Sequence, residues 1–161
     1  MELYLLRHGI AEPGKPGSPD SDRALTPEGI RKLRGVLRAA KAAELAPGLI
    51  VSSPYRRAIE TAEIAARALG YQGEVAQSAA LVPASRPSSV WDEVRTLAAF
   101  EQVLLVGHEP LFSQTCAYLL ASPAMLVDFK KGAIARIDFD SLGQQPKGVL
   151  RWLLTPKLAG E

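Results

Sequence analysis

The chain has two histidines, and both fall in the same kind of place. His8 follows the apolar run Leu3-Tyr4-Leu5-Leu6 and Arg7; His108 follows Val103-Leu104-Leu105-Val106 and Gly107. Apolar runs of this length bounded by turn residues read as buried strands, so each imidazole sits just past a strand's carboxyl end. In open α/β sheets that end is where ligands bind. Either histidine alone would read as a satisfied structural residue; the shared placement, with Gly9 and Gly107 beside them, makes a common crevice the better reading. Arginines collect at the same ends. Arg56 and Arg57 fall in the first turn of the helix after the strand Leu49-Ile50-Val51. There the helix dipole disfavours a cation by about 0.3–1 kcal/mol unless an anion is present, and a helix N-terminus itself attracts phosphate. Arg56 can pair with Glu60 one turn on, which leaves Arg57 for the crevice. Arg7, at a buried strand end, likewise calls for an anion, because arginine is rarely buried unpaired. Guanidinium forks match phosphate oxygens, and an imidazole can attack when neutral or donate when charged. Arg7, His8, Arg57 and His108 therefore compose a pocket for phosphoryl transfer.

The elements that must position these residues are legible in the pattern. Short apolar runs alternate with helical periodicities, which predicts an α/β fold with a mostly parallel sheet covered by helices. Thr26 caps and Pro27 opens a helix whose Ile30, Leu33, Leu37 and Ala40 recur at helical spacing to about Glu44. Ser53-Pro54 repeats the cap-plus-proline start for a helix that Gly70 stops. A weak strand lies near Glu74 to Ala76. Pro87 opens a helix with Val90, Trp91, Val94, Leu97 and Ala98 on one face. Pro110 opens another, and its stripe of Leu111, Phe112, Thr115, Cys116, Leu119 and Leu120 makes Cys116 a core residue rather than a nucleophile. Two alternating strands, 133–139 and 149–154, complete the sheet as a hairpin, antiparallel at least in part. Pro13, Gly14, Pro16, Gly17 and Pro19 mark 12–21 as a mobile flap.

Composition bounds the function. A chain of 161 residues, 47% hydrophobic and 22% charged, predicts one domain over 1–161 that folds without staples. Nineteen basic against seventeen acidic residues leave +2, too little to draw in nucleic acid or membrane by charge alone. One cysteine and two histidines exclude disulfides, cysteine zinc clusters and most His-rich metal sites. No basic leader opens the chain, and no apolar run approaches the ~18 residues of a membrane span. The expectation is a cytoplasmic protein without metal or cofactor, a monomer or weak dimer.

The order of Arg7-His8-Gly9, then Ser53-Pro54-Tyr55-Arg56-Arg57-Ala58 running on to Thr61-Ala62, then Gly107-His108 before Pro110, resembles the three signatures of the histidine phosphatase superfamily. The short length, the stretch Asp22-Arg23-Ala24-Leu25-Thr26-Pro27-Glu28-Gly29 and the Gly107-His108-Glu109-Pro110 form are most similar to its SixA-type phosphohistidine phosphatases. That resemblance implies a three-layer α/β/α sandwich of the phosphoglycerate mutase kind and a ping-pong reaction. His8 would attack phosphorus, while Arg7, Arg57 and a protonated His108 hold the phosphoryl oxygens; water would then release phosphate from phospho-His8. Gly9, Ser53 and Arg23 would assist in binding substrate, although Arg23 fits equally as a cap on the flap, and a carbonyl near Gly9 would fix the His8 tautomer.

One departure bears on the substrate. Members that act on phosphate esters carry a carboxylic acid that protonates the leaving oxygen. The corresponding stretch here, Ala79-Ala80-Leu81-Val82-Pro83-Ala84-Ser85, has none. A general acid is worth ~10²- to 10⁴-fold, so its absence disfavours alkyl phosphates and favours phosphohistidine, whose protonated ring leaves as neutral imidazole. Glu12 or Glu109 could supply the proton from another direction, although Glu109 at a helix start also reads as dipole compensation. The expected partner is a phosphorylated protein, such as a histidine-phosphotransfer domain, docking on a shallow cleft. A phosphatase or mutase for a small phosphorylated metabolite is the competing enzyme reading, and a phospholigand-binding module the competing non-enzyme reading.

Overall fold

The computed structural model describes residues 1–161. In chain order it has β1 (Glu2–Arg7), α1 (Pro27–Ala42), β2 (Leu49–Ser52), α2 (Arg56–Leu69), β3 (Ala76–Gln77), α3 (Pro87–Thr96), β4 (Gln102–Gly107), α4 (Leu111–Leu119), β5 (Ile134–Asp138) and β6 (Val149–Leu154). The six strands form one sheet in the order β3-β2-β4-β1-β5-β6. β3, β2, β4 and β1 run parallel; β5 and β6 are antiparallel and close the far edge as a hairpin.

Period-two alternation along the central strands sends side chains to two separate cores. Leu3, Leu5, Val103 and Leu105 pack with Val90, Trp91, Val94, Leu111, Phe112 and Cys116 of α3 and α4. Tyr4, Leu6, Leu104 and Val106 pack with Leu33, Val36, Leu37, Ala58, Ala62 and Ala65 of α1 and α2. A sheet covered on both faces matches the helix-covered, mostly parallel sheet read from the alternating pattern and is the three-layer α/β/α sandwich that the family resemblance implied. Burial pushes the Cys116 thiol up to about 12, so it packs and does not react.

The register positions the site. Arg7 of β1 lies opposite Gly107 of β4, and Ser52 of β2 opposite Val106, so three neighbouring strands end at one level. His8, Ser53 and His108 are each the next residue out. Their backbones stay tied to the sheet edge: His8 N–H donates to the Gly107 carbonyl (3.0 Å) and Ser53 N–H to that of Val106 (2.9 Å).

Some boundaries differ from expectation. α1 ends at Ala42, two residues before Glu44, whose φ of 67° cannot continue a right-handed helix. β3 is a two-residue edge strand at Ala76–Gln77 rather than at 74–76, paired with Val51 and Ser52 of β2. Pro110 is the cap of α4 and not its first residue. α2 is capped by Tyr55, not Ser53, and the Ser53 hydroxyl is free for other work. The flap is tied at both levels: Ala11 bridges Leu25 at its base, and Arg23 donates to the Asp20 carboxylate (2.7 Å) and the Glu12 carbonyl (3.0 Å) across it. No helix is long and apolar enough to cross a membrane.

Candidate active site

His8 and His108 face one another at the sheet's carboxyl edge, ring centroids 5.0 Å apart. The His8 Nδ1–H donates to the Gly9 carbonyl at 2.7 Å, which leaves the Nε2 lone pair free. Arg57 Nε donates to that Nε2 at 3.2 Å. Gly9 is thus committed internally, its carbonyl to His8 and its N–H to Thr61 Oγ1 (3.2 Å). It orients the imidazole, and both of its backbone groups are bonded within the protein. Thr61 Oγ1 in turn donates to the Arg57 carbonyl (2.7 Å), so one hydroxyl couples the β1 exit to the first turn of α2.

His108 Nε2 shares a 2.8 Å hydrogen bond with Ser53 Oγ, and its Nδ1 is buried without a partner. Ser53 therefore supports His108. Its hydroxyl also accepts from Tyr55 N–H (3.3 Å). Tyr55 closes the site from the α2 side, its ring edge-on to His108 at 5.0 Å and 5.0 Å from the Arg57 guanidinium carbon.

Burial first, then the charges of His108, Arg57 and Arg7, push His8 down to about 3 against the opposing pull of the Gly9 carbonyl. Burial, Arg57 and Arg7 likewise push His108 down to about 3, with Asp20 opposing. Both rings are neutral at physiological pH. The protonated His108 expected to hold the phosphoryl oxygens therefore needs the counter-charge of the phosphoryl group itself.

The anion that the sequence demanded at the start of α2 comes from the flap. Arg57 Nη1 donates to the Asp20 carbonyl (2.8 Å) and Nη2 to its carboxylate (2.9 Å), while the other carboxylate oxygen accepts from Arg23 Nε. Arg23 is bonded to the site through this shared Asp20, and its charge also helps to lower His108. Partial burial pushes the Asp20 carboxyl up, but the hydrogen bonds and charges of Arg57 and Arg23 outweigh it and hold the group below its usual range. Asp20 and Tyr55 were not singled out from sequence. The cation at a helix start was the one signal that could have pointed to Asp20.

Arg7 stands beside the pair, close enough that its charge lowers both histidines. Its Nη1 donates to the Phe129 carbonyl at 2.6 Å and its Nε is buried without a partner. Arg56 pairs with Glu60 at 2.9 Å, as expected. Glu109 accepts from Ser113 N–H (2.8 Å) and so compensates the start of α4. Glu12 lines a cavity under the flap with Lys15 and Arg56. The carboxylate-free stretch 79–85 does border the site, since the Leu81 carbonyl lies against Gly107.

A sheet edge that presents two neutral imidazoles and a buried guanidinium suits the binding of a phosphoryl group, and the chain is similar to known phosphatases. The model of the histidine phosphatase superfamily (branch 1) matches residues 3–82. An uncharacterized protein of Picosynechococcus is 35% identical over 147 residues, spanning 85% of this chain and 88% of its own length. The chain belongs to the histidine phosphatase superfamily and is a histidine-nucleophile phosphatase. Among solved structures, the protein histidine phosphatase SixA complexed with tungstate superposes with a TM-score of 0.85 at 25% identity, covering 98% of each chain. A phosphoserine phosphatase mutant from Entamoeba histolytica in complex with phosphoserine superposes at 0.72 with 17% identity, also over 98% of each, and shares the fold.

Proposed function

We propose that this chain is a phosphohistidine phosphatase that works through a phospho-His8 intermediate. The observation that carries the substrate class is the absence of a carboxyl able to give up a proton at the site. Asp20 is held ionised by two arginines, Glu109 is bound to the start of α4, and 79–85 offers none. The leaving group must then depart without help, as the neutral imidazole of a ring-protonated phosphohistidine does. SixA is also the more similar fold of the two phosphatases compared.

The residues act as follows. His8, neutral and tautomerically fixed by the Gly9 carbonyl, attacks phosphorus through the Nε2 lone pair, and the substrate's P–N bond breaks with its electrons passing to the departing ring nitrogen. Arg57 releases Nε2 and exchanges its Asp20 contacts for phosphoryl oxygens. Arg7 and the unpartnered His108 Nδ1 supply further donors to the oxygens on which charge gathers, each such donor being worth roughly 3–4 kcal/mol. Water then attacks phospho-His8, inorganic phosphate leaves and the imidazole is regenerated neutral. Ser53 and Gly9 are positioning residues, and Arg23 acts through Asp20.

The test is turnover of free phosphohistidine against alkyl monophosphates, in chelator, with trapping of labelled enzyme. A kcat/KM preference of about 10²-fold or more for phosphohistidine is expected, with acid-labile label lost in His8→Ala. A preference for esters overturns the substrate class and favours a small-metabolite phosphatase. Phosphate binding without a trappable phosphoenzyme overturns the mechanism.

A further inference from the structure

Resting on the phosphohistidine reading above, we propose that a basic groove beside Arg7 is the docking surface for an acidic face of the protein that carries the phosphohistidine. The groove has a volume of about 610 Å³ and takes in the end of β1, the 128–131 loop, one turn of α1 and the 155–161 segment. Five cations line it, Arg7, Lys32, Lys130, Lys131 and Lys157, against two carboxylates, Asp128 and Glu161. The local excess of three charges exceeds the +2 of the entire chain, so the remaining surface is net acidic.

Much of the local charge is already matched. Lys130 pairs with Asp128 and Lys32 with Glu28, and Glu161 is held by Arg31 and Arg38 outside the groove. Lys131 and Lys157 make no ion pair, and Arg7 meets only a neutral carbonyl. Three uncompensated cations on three separate segments thus share one open groove, and one of them also belongs to the catalytic centre.

The arrangement favours a row of carboxylates over a compact dianion. A phosphate group is best held by converging forks and backbone amides; here a single fork, Arg7, shares the groove with two unpaired ammonium groups and with the carboxylates of Asp128 and Glu161. Exposed leucines neighbour the lining residues along the chain. Leu158, next to Lys157, is 72% exposed, and Leu126, two residues before Asp128, is 96% exposed. Leu126 also opens an apolar hollow with Met125, Val127 and Tyr118 on the other side of the same loop. Exposed apolar side chains beside a charged groove offer a protein partner contacts that a small anion would not use. The Phe129 carbonyl that holds Arg7 lies on this loop, so a partner seated here presents its phosphohistidine at the end of β1.

Three substrates test the surface: free phosphohistidine, a histidine-phosphorylated peptide flanked by Asp and Glu, and the same peptide with Asn and Gln. The acidic peptide should show a KM about tenfold below the neutral one at low salt, with the gap closing as salt rises. In K131E/K157E its KM should rise about tenfold with kcat within about twofold, and the other two substrates should be unchanged. The milder K131Q/K157Q should move KM the same way by less, which separates charge from misfolding. Equal KM for the two peptides, or equal losses on all three substrates in both variants, overturns the docking role while leaving phosphohistidine chemistry in place. Inhibition by pyrophosphate that weakens in K131Q/K157Q as strongly as acidic-peptide binding does would assign the groove to a second phosphate and overturn it too. Wild-type protein that turns over alkyl phosphates but not free phosphohistidine removes the reading beneath it.

Discussion

The guanidinium of Arg57 gives three of its five N–H donors to the protein itself, to His8 Nε2 and to the carbonyl and carboxylate of Asp20. Asp20 thus competes with a phosphoryl group for the Nη1 and Nη2 ends of the fork. Because its side chain is 58% exposed, the pair is screened and worth about 0.2–1 kcal/mol. Asp20→Asn should accordingly tighten inhibition by inorganic phosphate by about 1.5- to 5-fold. An inhibition constant that weakens in this variant would instead make Asp20 a support that holds Arg57 in place. The two histidines, Arg57 and Arg7 were legible in the sequence because strand-end placement and misplaced cations are local features. Asp20 was not, because its partner lies 37 positions away and the contact depends on how a proline-rich flap folds back. Proline and glycine announce a loop there without saying where it goes.

Helix starts carry much of the positioning, and the two that look alike in sequence behave differently. Thr26 caps α1 as its spacing predicted: its Oγ1 accepts from Gly29 N–H (2.9 Å), and its own N–H and hydroxyl donate to the Ile10 carbonyl. A Cβ on Gly29 would collide with that same carbonyl oxygen, and backbone cannot yield as a side chain tip would. Gly29→Ala should therefore push α1 off the β1 exit and destabilise the protein by about 1–3 kcal/mol, read from the urea midpoint. Ser53-Pro54 has the same cap-and-proline form, yet the hydroxyl serves His108 and α2 starts two residues later. Short-range pattern could not separate the two cases, because the competing partner comes from β4 across the sheet. Ser53→Ala should lower kcat by about 10- to 100-fold through loss of His108 orientation. An N-cap role alone would leave kcat intact and lower only stability.

At the scale of the whole molecule, a mostly parallel sheet covered by helices was legible because alternating apolar runs and helical periods admit few other folds, and β1 and β4 alternate cleanly between the two cores. Lateral strand order was not legible, since β4 inserts between β1 and β2 and nothing local to either strand says so. That insertion seats both imidazoles side by side in the protein's interior, with a consequence for global stability. Each folds neutral, pushed down to about 3, whereas an unfolded histidine titrates near 6.5. A folded pKa below the unfolded one gives stability that is fully present above pH 6.5 and is lost as pH falls toward 3, because only the unfolded chain takes up the protons. The loss approaches about 1.4 kcal/mol per pH unit for each histidine. Asp20 and Asp138, also lowered, act in the same direction but only from the carboxylate range downward. The interval from pH 6.5 to about 4.5 thus belongs to the two histidines. Thermal melts should show Tm falling steadily across that interval in the wild-type chain and nearly level in His8→Gln/His108→Gln. A wild-type Tm that stays flat down to pH 4.5 would mean that both rings take up protons in the folded state as they do in the unfolded one. His8 would then no longer be the neutral nucleophile the reaction needs.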